Sequence, residues 1–408
     1  MRVCFVSHTS GWGGAERALV ELIEALKKRG VDCYVLLPRG GDLVRELRER
    51  HIPFRMLPYR MWVGRNSPLW KRVGRAMLTL ATVVPVAKAM MRWRCDIVVT
   101  NTFTVCVGAL AAKLVRRPHV WYVHDFIYEH HGFTFDLGSR FSFWLMRRSL
   151  YWVFNSHAVA AKFREYLGPS DLRVVYQSVG FAPEPRLGDG AIRLRDGTRM
   201  RCVIVGVLHE AKGQQEAIRA IADLARTGVP VELLVIGRGD PKYLSVLLGL
   251  VAENQLHRHV EFVGYVENPI PFMESADAVL MCSRFEGFGR VTVEAMRAGK
   301  PVIGARSGGT VELIRDGFNG LLYTPGSHTE LAERIRYLYE QPSLAARMGQ
   351  NGRRWASVQF TEKRYAEGVL DVLNACLARS GRRGNAGRSL SMASKQAVQG
   401  SEARAEQH

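Results

Sequence analysis

The chain has 408 residues and a mass of 45.8 kDa, too long for one ordinary domain and comfortable for two. Hydrophobic residues make up 47% and charged residues 23%, which excludes a globally disordered chain. The formal charge is +19, and residues 51–150 alone hold 15 Lys and Arg against 4 Asp and Glu. That imbalance points to an anionic partner (a membrane surface, a nucleic acid or a phosphorylated substrate) or, more blandly, to a basic soluble protein.

MRVCFVSH opens the sequence as a strand rather than as a charged leader with a cleavage site. Further strands are predicted at residues 32–37, 96–100, 119–123, 152–155 and 173–176. Between the first two, residues 15–29 place Ala18, Leu19, Leu22, Ile23 and Leu26 on one helical face, and Gly30 ends the helix. The most membrane-like stretch, residues 76–91, carries Pro85 and Lys88 and falls below the roughly 20 apolar residues a spanning helix needs, so no span is predicted. Residues 140–152 interleave Phe141, Phe143, Trp144, Leu145 and Trp152 with Arg140, Arg147 and Arg148, as either a membrane-docking surface or ordinary core would.

Residues 181–199 hold Pro, Gly and charge without periodicity, a linker signature. A second alternation follows, with strands at 201–206, 231–236, 259–262, 278–282 and 301–304 and helices at 213–227, 243–254, 289–298 and 329–339. The expected organisation is two tandem doubly wound α/β domains, residues 1–180 and 200–358, with a helix over 359–378 crossing back to the first and a disordered tail over 379–408. Such a pair places a cleft between the carboxyl ends of two sheets. Seven scattered cysteines with no C-x-x-C suggest buried free thiols and a reducing cytoplasm.

The most specific segment runs from Cys282 to Tyr323. Glu286-Gly287-Phe288-Gly289 sits where a strand gives way to a helix, and the free amides of Phe288, Gly289 and Arg290 make an anion site. Glu286 and Glu294 frame it. Carboxylates repel a phosphate, so their natural targets are neutral hydroxyls on either side of one, as in a nucleotide sugar. Taken singly, Glu286 could be a capping residue and Glu294 a solvated one.

With Glu286 and Glu294 separated by seven residues, followed by Glu294-Ala295-Met296, Gly299 to Ile303 and Gly308-Gly309-Thr310-Val311-Glu312, the segment resembles glycosyltransferase family 4. These are retaining enzymes of the GT-B fold. The resemblance covers nearly all of the ordered chain and implies two Rossmann-like domains, a nucleotide-diphosphate sugar as donor substrate, no cofactor and no metal. It implies that Glu294 holds the ribose, that Glu286 binds donor-sugar hydroxyls, and that Phe288 and Gly289 contact sugar and diphosphate. Lys212 resembles the diphosphate-binding lysine, whose charge stabilises the leaving group. A second family cation is replaced by Val207, a departure for which Arg290 is the best placed substitute, ahead of Arg284 and Arg238.

In the first half, Gly13-Gly14-Ala15-Glu16 matches the family's loop facing the distal phosphate. Glu16 stands where a dinucleotide fingerprint needs its third glycine, which disfavours an oxidoreductase. His124 is placed by the resemblance beside the donor sugar, although a lone histidine is often only a satisfied core group. Glu129-His130-His131 has no metal-ligand spacing, and no D-x-D occurs. Asn155-Ser156 resembles the family's strand end, and Tyr176-Gln177-Ser178-Val179 holds a family stretch with two substitutions.

The expected activity is transfer of a hexosyl or deoxyhexosyl unit to a hydroxyl of a glycan or lipid-linked acceptor in envelope synthesis. An anionic membrane surface is a further expected partner and nucleic acid is not, since no known module for it appears. A non-catalytic sugar-nucleotide or glycan-binding module on the same fold stays open on Val207 and the altered 176–179 stretch, as, more remotely, does a basic nucleic-acid binder.

Overall fold

The short apolar runs read as strands become strands, and amphipathic stretches such as residues 15–29 become helices laid against them. The computed structural model describes residues 1–65, 67–126, 132, 134–149, 151–168, 171–180 and 199–380. The first half runs β1 (Arg2–Val6), α1 (Gly14–Lys27), β2 (Asp32–Leu37), α2 (Asp42–Glu49), β3 (Phe54–Met56), β4 (Val63–Gly64), α3 (Leu69–Arg92), β5 (Ile97–Thr100), α4 (Val107–Leu114), β6 (His119–Val123), β7 (Thr134–Phe135), α5 (Ser139–Met146), β8 (Tyr151–Phe154), α6 (His157–Leu167) and β9 (Leu172–Val174). The second runs β10 (Met200–Val205), α7 (Gln214–Arg226), β11 (Val231–Ile236), α8 (Pro241–Glu253), β12 (Val260–Gly264), α9 (Ile270–Ser275), β13 (Ala278–Met281), α10 (Arg290–Arg297), β14 (Val302–Ala305), α11 (Thr310–Leu313), β15 (Gly320–Tyr323), α12 (His328–Glu340) and α13 (Pro342–Gln359). Residues 362–380 form a further helix, α14.

Seven strands make one sheet in the order β3-β2-β1-β5-β6-β8-β9, and six make another in the order β12-β11-β10-β13-β14-β15. The pairings within both sheets are parallel. Continuous apolar strands such as β1, whose Val3 to Val6 are fully buried, need cover on both faces, and the helices supply it. The α1 face of Ala18, Leu19, Leu22, Ile23 and Leu26 is buried as its periodicity predicts. In each sheet the strand order reverses once, between β1 and β5 and between β10 and β13, and the crevice at such a reversal is where α/β sheets bind ligands. The architecture is the doubly wound α/β pair of the GT-B fold.

Three features depart from the sequence expectation or complete it. The edge strands β3 and β15 have only 3 and 4 residues, too short to carry a pattern. The apolar stretch at 76–91 is part of a longer helix: α3 has 24 residues and is long and apolar enough to cross a membrane by length and composition, with 33% of its apolar window buried. It leaves Leu69, Trp70, Val73, Met77, Leu80 and Val84 exposed. Pro85 sits within it without ending it. Finally, Tyr365, Ala366, Val369, Val372, Leu373 and Cys376 of α14 pack with Val3, Phe5, Val99, Tyr122 and Val153 in the core of the first sheet. The Tyr122 hydroxyl donates to that of Tyr365 at 3.0 Å. Of the basic and aromatic run at 140–152, Phe143, Leu145 and Trp152 are core, whereas Phe141 and Trp144 are exposed, the latter under the Arg148 guanidinium. The linker at 181–198, the Glu129-His130-His131 run and the tail from 381 lie outside the described residues.

Candidate active site

The residues singled out by sequence converge on the carboxyl ends of both sheets. After β13 the chain turns through Cys282 to Gly289 and enters α10 with Gly289 in the left-handed region at φ +94°. Phe288 buries its ring against Tyr176 and Phe360, at centroid distances of 5.9 and 5.6 Å, leaving only its backbone for a ligand. Gly308 and Gly309 support this loop from below. The Gly309 amide donates to the Glu286 carbonyl at 2.7 Å, and a Cβ on Gly308 would lie 2.3 Å from that same oxygen. Only glycine fits there.

Lys212, reached from β10 through a 3-10 turn, donates to Glu286 Oε2 at 2.8 Å. Burial works against its charge, but Glu286 and, beyond it, Asp125 hold the ammonium above its ordinary range. A cation and a carboxylate are thereby fixed side by side at the loop that leads into α10. Val207, at the position of the absent cation, is 61% exposed.

The two domains touch at this loop. A Cβ on Gly287 would stand 2.2 Å from the carbonyl oxygen of His124, so a glycine is required for the approach. That carbonyl also accepts from Asn155 Nδ2 at 2.8 Å. The His124 ring is buried and held between Gln177 Nε2, 2.8 Å from Nδ1, and Asn101 Oδ1, 2.8 Å from Nε2. This is the pattern of a neutral ring protonated on Nε2. Burial lowers its pKa to about 3, so the ring does not titrate near neutrality.

Arg290 lies across the cleft from α1. Its guanidinium donates to Glu21 Oε1 at 2.6 Å and Oε2 at 3.2 Å, and to the Ser178 carbonyl at 2.9 Å. Gly14 faces its side chain: a Cβ there would meet Arg290 Cδ at 3.5 Å. Gly13 opens α1, and its amide donates to Glu16 Oε2 at 3.2 Å. Glu294, one turn along α10, borders a cavity of about 700 Å3 that also takes in Trp12, Arg17, Glu21, Asn268 and Arg290. Burial raises the Glu294 carboxyl, while Arg290 and Arg17 act to lower it.

Several contacts across the cleft carry no sequence signal, even where the residues that make them lie in a motif. Glu312, the last residue of the Gly308-Gly309 motif, crosses to the first domain and accepts from the amides of His157 at 2.9 Å and Ala158 at 2.7 Å, at the open end of α6. It also accepts from the Tyr176 hydroxyl at 2.8 Å. All four residues of the 176–179 stretch are thus engaged: Tyr176 with Glu312, Gln177 with His124, and the carbonyls of Ser178 and Val179 with Arg290 and Arg297. Glu21 and Asn101 were invisible as site residues because neither lies in a motif.

Comparison with known proteins agrees with this geometry. A sequence profile described as Glycosyltransferase Family 4 matches residues 12–180, and one described as Glycosyl transferases group 1 matches residues 191–355. The chain belongs to glycosyltransferase family 4. It is a glycosyltransferase of the GT-B type. Anabaena HepE, solved in complex with UDP-glucose, is 27% identical and superimposes with a TM-score of 0.75 over 92% of this chain and 100% of that one. The glycogen synthase of Mycobacterium tuberculosis strain H37Rv is 27% identical over 380 residues, 88% of this glycosyltransferase and 90% of the relative. LpsD of Rhizobium meliloti, a lipopolysaccharide core biosynthesis glycosyltransferase, is 24% identical over 91% of this chain and 98% of its own.

Proposed function

We propose that this glycosyltransferase moves a hexosyl or deoxyhexosyl unit from a nucleotide-diphosphate sugar to a hydroxyl of a glycan or lipid-linked acceptor, with retention and without a metal ion. The observation that carries the reading is the Lys212–Glu286 pair at the open end of α10, with Glu294 one turn along that helix. Glu294 accepts from the ribose hydroxyls, and the amides of Phe288 and Gly289 receive the diphosphate. On donor binding Lys212 turns its charge to the diphosphate and frees Glu286 for the sugar hydroxyls.

The acceptor oxygen bonds to the anomeric carbon on the face from which the diphosphate departs. Its proton passes to a departing phosphate oxygen, and the electron pair of the broken C–O bond stays with the diphosphate, where Lys212 offsets the charge. His124, neutral and doubly hydrogen-bonded, acts by holding the wall of the site rather than by taking a proton. The complex of HepE with UDP-glucose supports a nucleotide-sugar donor, and the name of LpsD supports an envelope glycan as product. The exposed apolar side of α3, with Lys71 exposed in its first turn while Arg72 and Arg75 are held by Asp136, supports contact with the cytoplasmic face of an anionic membrane.

A thermal-shift panel of UDP, GDP, dTDP, ADP and CMP sugars, each with and without EDTA, tests the reading. One nucleotide class is expected to raise the midpoint by several degrees, with EDTA without effect and the response reduced in Glu294→Gln. Flat traces for every donor overturn it.

A further inference from the structure

A second cavity, of about 420 Å3, opens in the first domain alone, at the carboxyl ends of β1, β2, β3, β5 and β6. Its floor toward the second domain is His124 and Asp125, and Asp125 lies close enough to Lys212 to influence its charge. Thr9, Asn101, Thr102 and Thr104 supply hydroxyls and an amide along its length. Arg39 and Arg60 stand at the other end, on the loops after β2 and β3, both exposed. Among the described residues neither guanidinium has an ion-pair or hydrogen-bond partner, although most arginines around them do. Ser10 and Thr79 bind only the backbone carbonyls of these two residues.

Resting on the donor reading above, we propose that the acceptor carries a phosphate, and that Arg39 and Arg60 bind it. Two guanidinium-bearing residues lining one end of a polar cavity suit a tetrahedral oxyanion, which each planar fork can contact through two N–H groups. The sheet order sets the spacing. From β2 to β6 is three strand intervals, roughly 15 Å, so the phosphate sits well away from the carbon that reacts beside His124. That span suits a short glycan whose far end is phosphorylated and whose free hydroxyl points into the cleft. The hydroxyls and amide between the two ends serve the intervening sugar. The phosphate can belong to a soluble sugar phosphate or to a lipid-linked one. Thr79 lies on α3, so the helix with the exposed apolar side is joined directly to the arginine end of the cavity.

The test uses the full chain with its donor site filled by saturating UDP, or by whichever nucleotide the thermal panel selects. Phosphorus NMR line widths and calorimetry report binding of inorganic phosphate and glucose 1-phosphate, with glucose and glucuronate as neutral and carboxylate controls. Vesicles of phosphatidylcholine with and without 5% polyprenyl phosphate supply the lipid arm. The expected result is binding of the phosphate probes, in solution or in vesicles, at least tenfold tighter than the controls, weakened about tenfold by Arg39→Gln and by Arg60→Gln. The nucleotide midpoint shift stays as in the wild type. Binding only to polyprenyl phosphate vesicles, with the same loss in both variants, supports the proposal and identifies the lipid source. Glucuronate binding as well as glucose 1-phosphate, variants binding like wild type, or no phosphate probe binding in either arm overturns it. A wild-type chain that ignores every nucleotide but binds phosphate through the two arginines overturns the donor reading and leaves this one standing.

Discussion

Arg290 and Glu21 face each other across the cleft, and the guanidinium reaches both carboxylate oxygens at 2.6 and 3.2 Å. Helix α10 is therefore fastened to the first helix of the other domain. Glu21→Ala would leave a largely buried guanidinium without its counter-charge, and is expected to lower the unfolding free energy by about 3 kcal/mol. Glu21→Gln, which keeps an acceptor for the same N–H groups, should lose less. Urea unfolding of the two variants measures both values, and an unchanged midpoint in Glu21→Ala would show that the bridge contributes nothing.

Removal of the Lys212 ammonium should act on turnover. Lys212→Ala is expected to lower kcat by about 100-fold with a smaller change in donor KM, because the charge matters most as the diphosphate leaves. Glu294→Gln should do the reverse, raising donor KM about tenfold with less effect on kcat. Steady-state kinetics with the donor selected by the thermal panel separates the two, and matching profiles for both variants would contradict the roles assigned to them.

Glu16 makes the protein's stability depend on pH in an unusual direction. Burial pushes its carboxyl from the ordinary 4.5 up to about 7, against the pull of the Gly13 amide. Between those values the unfolded chain has released this proton and the folded chain keeps it. The contribution is thus complete below pH 4.5 and is lost as the pH rises through 7, at up to about 1.4 kcal/mol per pH unit. Glu16→Gln should remove that slope, so its gain over the wild type in urea midpoint should be larger at pH 8 than at pH 4.5. Equal differences at the two values would show that the carboxyl is not shifted.

The exposed side of α3 gives a prediction at the membrane. Trp70 is 71% exposed and Leu80 57%, on a helix whose first turn carries the exposed Lys71. The double variant Trp70→Ser, Leu80→Ser is expected to weaken co-sedimentation with vesicles containing phosphatidylglycerol about tenfold, and wild-type binding should fall with added salt. Binding that survives both changes would place the membrane contact elsewhere or remove it.

Much of this architecture can be read from sequence because parallel strands buried on both faces are uniform apolar runs. Residues 32–37, 119–123 and 231–236 become strands at those positions. The Glu286-to-Glu294 segment is legible because a strand end, a glycine turn and a helix start are local events. What stayed hidden is of two kinds. The short edge strands β3 and β15 have no room for a period, and α3 looked too short because Lys71, Arg72 and Arg75 break up its apolar beginning. Contacts made across the cleft depend on how two domains meet, which no local pattern encodes. Glu312 beneath α6, Glu21 opposite Arg290 and Gln177 against His124 are all of that kind.

Helix α14 carries a consequence for how the polypeptide matures. The core of the first domain includes Tyr365, Val369 and Leu373, which are synthesised after the whole second domain. As the chain leaves the ribosome, the sheet of β1, β5, β6 and β8 therefore waits with part of one face bare until nearly the last residues emerge. The second domain has one core cluster drawn wholly from Met200 to Met348 and another that takes in only Val179 and Tyr176 from the earlier chain, so it can close first. The hydrogen bond from the Val179 amide to the Phe360 carbonyl, 3.4 Å long, then ties the outgoing and returning passages of the chain together. A chain released short of residue 362 would hold a closed second domain beside an unfinished first one, a ready substrate for chaperones and proteases.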